Sequence, residues 1–371
     1  MIVDAHVHTF PSMGGPSGFP SIQAHLRRIQ RGVYFPINPV RRARDHAPVR
    51  EQTLWNGRDL GPQGLEEVGL RVGRFGRMEW TAGGEELYVQ YFAPSLEEQS
   101  CSAERMIAEM DYAGVDAAVL QNDSIYGRLN DFLADCVRRY PRRFVGLGHV
   151  LEPWAHTDAQ RAELARCAAL GHRGIFYHVA GFWETGYREH LDDAQYAPFW
   201  DEVARLGLVV FWHIGGVPRP SPEAETEQMA RILRVMQRQP RLTGVLVQAL
   251  PPDYFAEGGR YGLPEVAREL ARLPRFLFEL TYPISYGHRY EYPYRELWPL
   301  VRQLADTFGA ERLVWGSDMP NVERFCTYRQ AWGYLRHCGL AAADLERLLG
   351  GNLADLFGLE PVATVEHPSG S

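Results

Sequence analysis

Positive charge is in short supply in this chain. Its 371 residues carry 39 Lys and Arg against 46 Asp and Glu, a net charge of −7. Proteins that grip nucleic acid or an anionic membrane present a broad basic surface, so neither partner class is expected. Cysteine is also scarce. The five residues at 101, 136, 167, 326 and 338 are odd in number and never spaced Cys-x-x-Cys. That argues against a disulfide framework and against a cysteine zinc site, and for a reducing, cytoplasmic setting. No uninterrupted apolar run is long enough to span a bilayer. The opening residues lack the basic flank and small-residue cleavage site of a secretory leader, which fits the same cytoplasmic expectation.

What is present is a regular alternation. Met1–His8 is a short apolar stretch ending in two histidines one residue apart. From Ser102 onward, helical patterns at 102–113, 129–140, 158–170, 198–206, 223–237, 263–273, 297–308 and 345–357 separate short apolar runs. Those runs are Asp116–Gln121, Phe144–His149, Gly174–His178, Leu208–His213, Gly244–Gln248, Phe276–Glu279 and Arg312–Asp318. With the first, they make eight strands in strand–helix order, the pattern of parallel βαβ units. Eight such units predict an α/β fold closed as a (β/α)8 TIM barrel. A doubly wound sheet would want a glycine-rich turn after the first strand, but His8 is followed by Thr9-Phe10-Pro11.

Residues 9–100 interrupt the alternation. Ser21 is placed to cap a short helix ending near Gln30, and arginines follow at 27, 28, 31, 41, 42, 44 and 50. Such a run ordinarily reads as a solvated face. Its functional alternative is an anion-binding arm, because arginine forks a carboxylate with two hydrogen bonds. Between Glu66 and Phe92 apolar and polar residues alternate around glycine breaks, predicting a small antiparallel β insertion after strand one. The expected organisation is one barrel domain over 1–360, with 361–371 as a flexible tail.

The strand ends carry the chemistry. They present His6 and His8, Gln121, His149, His178, His213, Gln248, Glu279 and Asp318. Five of the thirteen histidines stand at these ends, where barrels of this class place their catalytic groups. In a strand, side chains two apart share a face, so His6 and His8 converge, with Asp4 expected one step deeper on that face. Barrel closure sets strand eight beside strand one and strand five across the mouth. His6, His8, His213 and Asp318 therefore form the expected ligand set for one divalent ion. Zinc is the first expectation, and manganese or iron also suit imidazole and carboxylate.

The first strand, Trp212-His-Ile-Gly-Gly216, Trp315-Gly-Ser-Asp-Met-Pro320 and Gly351-Asn-Leu-Ala-Asp-Leu-Phe357 together resemble the amidohydrolase-related metal-dependent barrel enzymes. The nearer branch contains aminocarboxymuconate-semialdehyde decarboxylase. The stretch 129–146 extends the likeness, and 9–100 falls outside it. The resemblance implies a barrel with one divalent metal, performing either hydrolysis or non-oxidative decarboxylation. Its barrels are often dimers, so a homodimer is an assembly it allows. One position departs: the family usually ends strand six in a histidine, where this chain has Gln248. A glutamine donates and accepts hydrogen bonds but moves no proton. The proton-transfer expectation therefore passes to Asp318 or His178, with Gln248 on a substrate oxygen.

The leading expectation is metal-dependent hydrolysis of a lactone, ester or amide, with Asp318 accepting the proton of the attacking water. Decarboxylation of a carboxylated substrate is the alternative, and a ligand-binding barrel without catalysis is the third reading. Substrate binding is expected from aromatic loops on the catalytic face, through Trp212, Tyr282, Tyr286 and Arg289, for a small cyclic or aromatic molecule.

Overall fold

A computed structural model describes residues 1–34 and 38–360. Eight parallel strands form one sheet: β1 (Val3–Val7), β2 (Ala117–Leu120), β3 (Phe144–Gly148), β4 (Gly174–His178), β5 (Val209–His213), β6 (Thr243–Leu246), β7 (Phe276–Leu280) and β8 (Leu313–Trp315). Each pairs with the next in chain order. The seam between β8 and β1 closes by a parallel bridge of Val7 with Met319 and by Asp318 N–H donating to His6 O at 2.8 Å. This is the expected TIM barrel.

Period-two alternation sorts the strand side chains into two cores. Val3, Ala5, Val119, Leu147, Phe176, Phe211, Val245, Leu277 and Val314 fill the barrel. Ile175, Tyr177, Val210, Trp212, Phe278, Leu280 and Trp315 face the surrounding helices. The floor is closed by the helix Asn352–Phe357, whose Leu353 and Phe357 join the inner core.

Strand β1 breaks the alternation once. Val3 pairs with Ala117 and Asp4 with Ala118, but Val7 pairs with Leu120, so one extra residue sits between Asp4 and Val7. This β-bulge turns the strand so that both Ala5 and His6 face inward. Asp4 is thereby not on the histidine face, contrary to expectation. It accepts from Ser317 N–H (2.9 Å), from Tyr328 O–H (2.8 Å) and from the His6 N–H that the bulge frees (2.9 Å). Burial pushes its carboxyl up to about 7, partly offset by those hydrogen bonds.

The insertion contains the helix Ile22–Val33, with Ser21 Oγ accepting from Ala24 N–H, and a five-stranded antiparallel sheet. The expected meander supplies Arg71–Val72, Arg77–Ala82 and Glu85–Gln90. Two short strands, Val40–Arg42 and Pro48–Val49, add to its edge and were not anticipated, because their arginine-rich sequence carries no alternation. The tail expected at 361–371 lies outside the described residues.

Truncating the floor residue, Phe357→Ala, opens a cavity under the barrel and should cost about 3–5 kcal/mol. Denaturant unfolding of the purified variant measures it; a loss below about 1 kcal/mol would mean that this helix does not seal the core.

Candidate metal centre

His6 and His8 leave β1 pointing into the barrel mouth, their Nε2 atoms 3.0 Å apart. Each ring is held by its other nitrogen. His6 Nδ1 lies 2.7 Å from Glu279 Oε1, and His8 Nδ1 lies 2.9 Å from Gln121 O. Gln121 Nε2 in turn donates to Glu279 Oε2 at 3.0 Å, so the carboxylate is itself fixed. A carbonyl oxygen only accepts, so Nδ1 of His8 must carry the hydrogen, which leaves its Nε2 lone pair facing His6. Asp318 Oδ1 completes the group, 3.2 Å from His8 Nε2 and 3.7 Å from His6 Nε2.

The local backbone explains how Asp318 reaches this position. It follows β8 with φ +63, the left-handed conformation that aspartate tolerates better than most residues. Gly316 precedes it because a Cβ there would lie 2.9 Å from His6 Cβ and 3.0 Å from Glu279 Cδ. Gln248 Nε2 donates to Asp318 Oδ2 at 3.0 Å and Asn321 Nδ2 to Oδ1 at 2.6 Å. Burial would raise this carboxyl, but His6, His8 and Asn321 outweigh it and hold it well below the usual range. Burial also disfavours charge on His6, yet Glu279 and Asp318 together hold its pKa at about 9.

These three side chains offer two imidazole nitrogens and one carboxylate oxygen, all buried and within 4.8 Å of one another. Opposed ring nitrogens, one imidazole backed by the Glu279 carboxylate and the other by the Gln121 carbonyl, fit a divalent cation, each histidine already having the orienting acceptor that metal-bound imidazoles carry. His213, expected as the fourth ligand, is not in this group. It lines the same cavity, but its ring stacks on His178 at 4.0 Å and its donor atom clusters with Asp123 and His178. Its Nδ1 is buried without a hydrogen-bond partner. Burial and the neighbouring His178 hold its pKa far below the usual histidine range, so the neutral ring keeps one nitrogen lone pair free.

The cavity over the group measures about 200 Å³, and its walls include Arg28, Arg31, Asp123, Tyr126, His178 and Arg324. His178 Nδ1 lies 3.2 Å from Asp123 Oδ2, off the line of a good hydrogen bond, and Nε2 lies 3.2 Å from Gly215 O. Burial would raise the Asp123 carboxyl; His178 outweighs it and holds it low. Arg28 and Arg31, three apart on the insertion helix, are each 6 % exposed. Arg28 Nε donates to Ser124 Oγ at 2.6 Å, and Arg31 Nη2 to Tyr187 Oη (2.6 Å) and Gly216 O (2.5 Å). The helix thus roofs the mouth, tied to the loops after β2, β4 and β5. The other arginines of the run behave as a solvated face: Arg27 pairs with Glu67, and Arg42 and Arg44 with Asp45 and Glu85.

The expected substrate-binding residues divide. Tyr286 lines a second lobe of the cavity. Trp212 does not reach the mouth: its even position on β5 turns it outward, fully buried against Trp200. Tyr282 is buried and bonded to Tyr261 Oη at 2.5 Å, and Arg289 pairs with Asp253 at 2.7 Å, so neither lines either lobe. Asp123, Asn321 and Arg324 went unnoticed in the sequence, although each sits in a loop on the catalytic face, where such residues are to be sought.

Comparison with known proteins follows from this geometry. The family model described as amidohydrolase matches residues 3–359. A 2-amino-3-carboxymuconate-6-semialdehyde decarboxylase of Dictyostelium discoideum is 38 % identical over 86 residues, 23 % of this chain and only 22 % of that relative's length. A dihydroxybenzoic acid decarboxylase from Polaromonas sp. JS666, solved with manganese and 2-nitroresorcinol, has a TM-score of 0.51 at 20 % identity, covering 72 % of this chain and 90 % of that one. A probable 2-pyrone-4,6-dicarboxylic acid hydrolase from Acinetobacter baumannii, with citric acid bound, has a TM-score of 0.52 at 17 % identity, covering 70 % and 90 %. Likeness at these identities speaks for the fold.

A proton on His6 competes with the cation. Below pH about 9 that proton must leave before the metal enters, so affinity should rise about tenfold per pH unit and level off above it. Titration of the stripped protein with zinc or manganese from pH 6 to 10 tests this; a flat profile would contradict the ligand group, as would full metal content in His6→Ala.

Proposed function

The chain belongs to the amidohydrolase family, and from that premise we propose that it is a metal-dependent decarboxylase of a small carboxylated, cyclic or aromatic substrate. The observation that carries this reading is the placement of Arg28, Arg31 and Arg324 in the wall of the cavity that holds His6, His8 and Asp318. Burying guanidinium groups is costly unless an anion meets them. Arg31 Nε is buried without a partner, a donor still to be satisfied. A substrate carboxylate in the cavity would give these guanidinium groups an anion, and the arginine fork suits its shape.

A divalent ion on His6, His8 and Asp318, with His213 as a further donor on the facing wall, would supply Lewis-acid polarisation of a substrate oxygen. Zinc and manganese both suit these donors. The arginines orient the carboxylate that leaves. His178 is the proton carrier of this reading: it faces the cavity, with Asp123 Oδ2 3.2 Å from its Nδ1. Its proton goes to the ring carbon as the bond from that carbon to the carboxylate breaks, and carbon dioxide leaves with no water consumed. Gln248 braces Asp318 through its 3.0 Å hydrogen bond, which makes it a positioning residue.

Hydrolysis of a carboxylated lactone or ester is the second reading. In that reading Asp318, a carboxylate on the cavity wall, is the group that takes the proton of the attacking water.

Metal-loaded protein incubated with hydroxylated aromatic carboxylates should release carbon dioxide in step with substrate loss. A product heavier by one water, with its carboxylate retained, would replace decarboxylation by hydrolysis. His178→Asn should lower kcat by roughly 10²–10⁴ with little change in KM. Arg31→Met should instead raise KM about ten- to a hundredfold, the worth of a charged hydrogen bond. Unaltered kinetics in both variants would sink the assignment.

A further inference from the structure

The cavity does not end at the metal centre. His213, Gly216 and Gln248 form a shared wall, and behind it lies a second lobe of about 230 Å³. Its lining includes Ser221, Glu225, Tyr254, Ser285 and Tyr286. Ser221 caps the helix Pro222–Arg238, its Oγ accepting from Ala224 N–H at 3.1 Å, and Glu225 follows in the first turn. The Glu225 backbone is spoken for, its N–H donating to Ser221 O at 3.0 Å.

The Glu225 side chain is not. It is 8 % exposed and lines the lobe, and its carboxyl makes no hydrogen bond or ion pair with any described residue. The other acid of the lobe, Asp253, is paired with Arg289, and Tyr286 Oη accepts from Asp253 N–H at 3.1 Å. Burial without a compensating partner pushes the Glu225 carboxyl up to about 7. A buried acid left unpartnered costs stability, and such groups are retained where a ligand completes them.

We infer that Glu225 is a specificity residue: it receives an N–H or O–H donor carried on the substrate edge remote from the carboxylate. This rests on the decarboxylase reading for the position of that carboxylate at Arg28, Arg31 and Arg324. The substrate class then sharpens to a carboxylated ring bearing an amino or hydroxyl group on its far side. The arginine end selects the acid, the wall of His213 and Gln248 sets the reach, and Glu225 rejects rings whose far edge is apolar, because those leave its carboxyl desolvated and unpaired.

The test uses metal-loaded full-length protein and calorimetric binding of benzoate, 3- and 4-aminobenzoate, 3- and 4-hydroxybenzoate, and 3- and 4-methylbenzoate. At least one amino- or hydroxybenzoate should bind about tenfold or more tightly than the methyl compound of the same pattern. Glu225→Leu should erase that preference, with benzoate and the methylbenzoates bound at least as tightly as by the native protein. Glu225→Gln, which keeps a neutral acceptor, should retain part of the preference and serves if the leucine variant does not fold. Equal binding of donor and methyl rings by the native protein would overturn the inference, as would a preference unchanged in the variants. The carboxylate reading fails separately: no saturable binding of any of these acids, or benzoate affinity unaltered in Arg31→Met, would remove it and this inference with it.

Discussion

Two imidazole nitrogens held 3.0 Å apart, each ring fixed from behind by an acceptor, are the constraint around which the mouth of this barrel is built. Lone pairs placed face to face repel unless a proton or a cation lies between them. The surrounding structure meets the cost of holding them there. A bulge in β1 turns His6 inward, and Asp4 takes up the N–H that the bulge releases. A glycine at 316 makes room for His6 and Glu279, and a left-handed aspartate at 318 brings the third donor across the seam. Each feature departs from regular strand geometry. Together they mark the C-terminal end of the first and last strands as the chemical end of the barrel, while the opposite end is merely packed shut by Leu353 and Phe357.

The insertion gives this centre its polarity. One helix lays two arginines over a group that already contains Asp318 and has Glu279 behind it, so cationic and anionic side chains line one cavity. The helix stays in place because Arg28 and Arg31 also bond to the loops after three different strands, and because Gly32 packs where any Cβ would meet Ile125 at 2.3 Å. The second lobe continues the alternation of charge: beyond the arginines and the imidazoles comes an acidic carboxyl, Glu225.

The family assignment and the metal-centred reading narrow the chemistry without choosing the reaction. Decarboxylation and hydrolysis use the same ligands and differ in whether a proton is given to carbon or taken from water. In the two proposed readings that difference falls on His178 and Asp318. His178 Nδ1 lies 3.2 Å from Asp123 Oδ2, whereas the neighbours of Asp318 hold its carboxyl well below the usual range. Gln248, standing where a proton-carrying histidine would be expected, is committed to Asp318. In the proposed decarboxylation, proton transfer is assigned to His178, at the end of the fourth strand.

Most of the barrel was readable in the sequence because its determinants are local. Short apolar runs, each followed by a helical period, impose parallel strands, and the polar residue closing each run falls at one end. His6, His8 and Asp318 could be named on that basis, as could Arg28 and Arg31 as candidates. What only the tertiary structure decided depends on register and on contacts distant in sequence. Strict alternation put Asp4 with the histidines, and a one-residue bulge separated them. Trp212 looked like part of the mouth, but alternation on β5 turns it to the helices while its neighbour His213 faces in. His213, also expected among the ligands, lines the same cavity and stacks on His178, because the rings at the ends of adjacent paired strands are neighbours. The arginine run split into a roof and a solvated sheet according to which residues one helix face carries across the barrel. Composition and period specify which groups stand at a strand end; only the closed barrel, by bringing residues more than 300 positions apart into hydrogen-bond contact across its seam, decides which of them share a site.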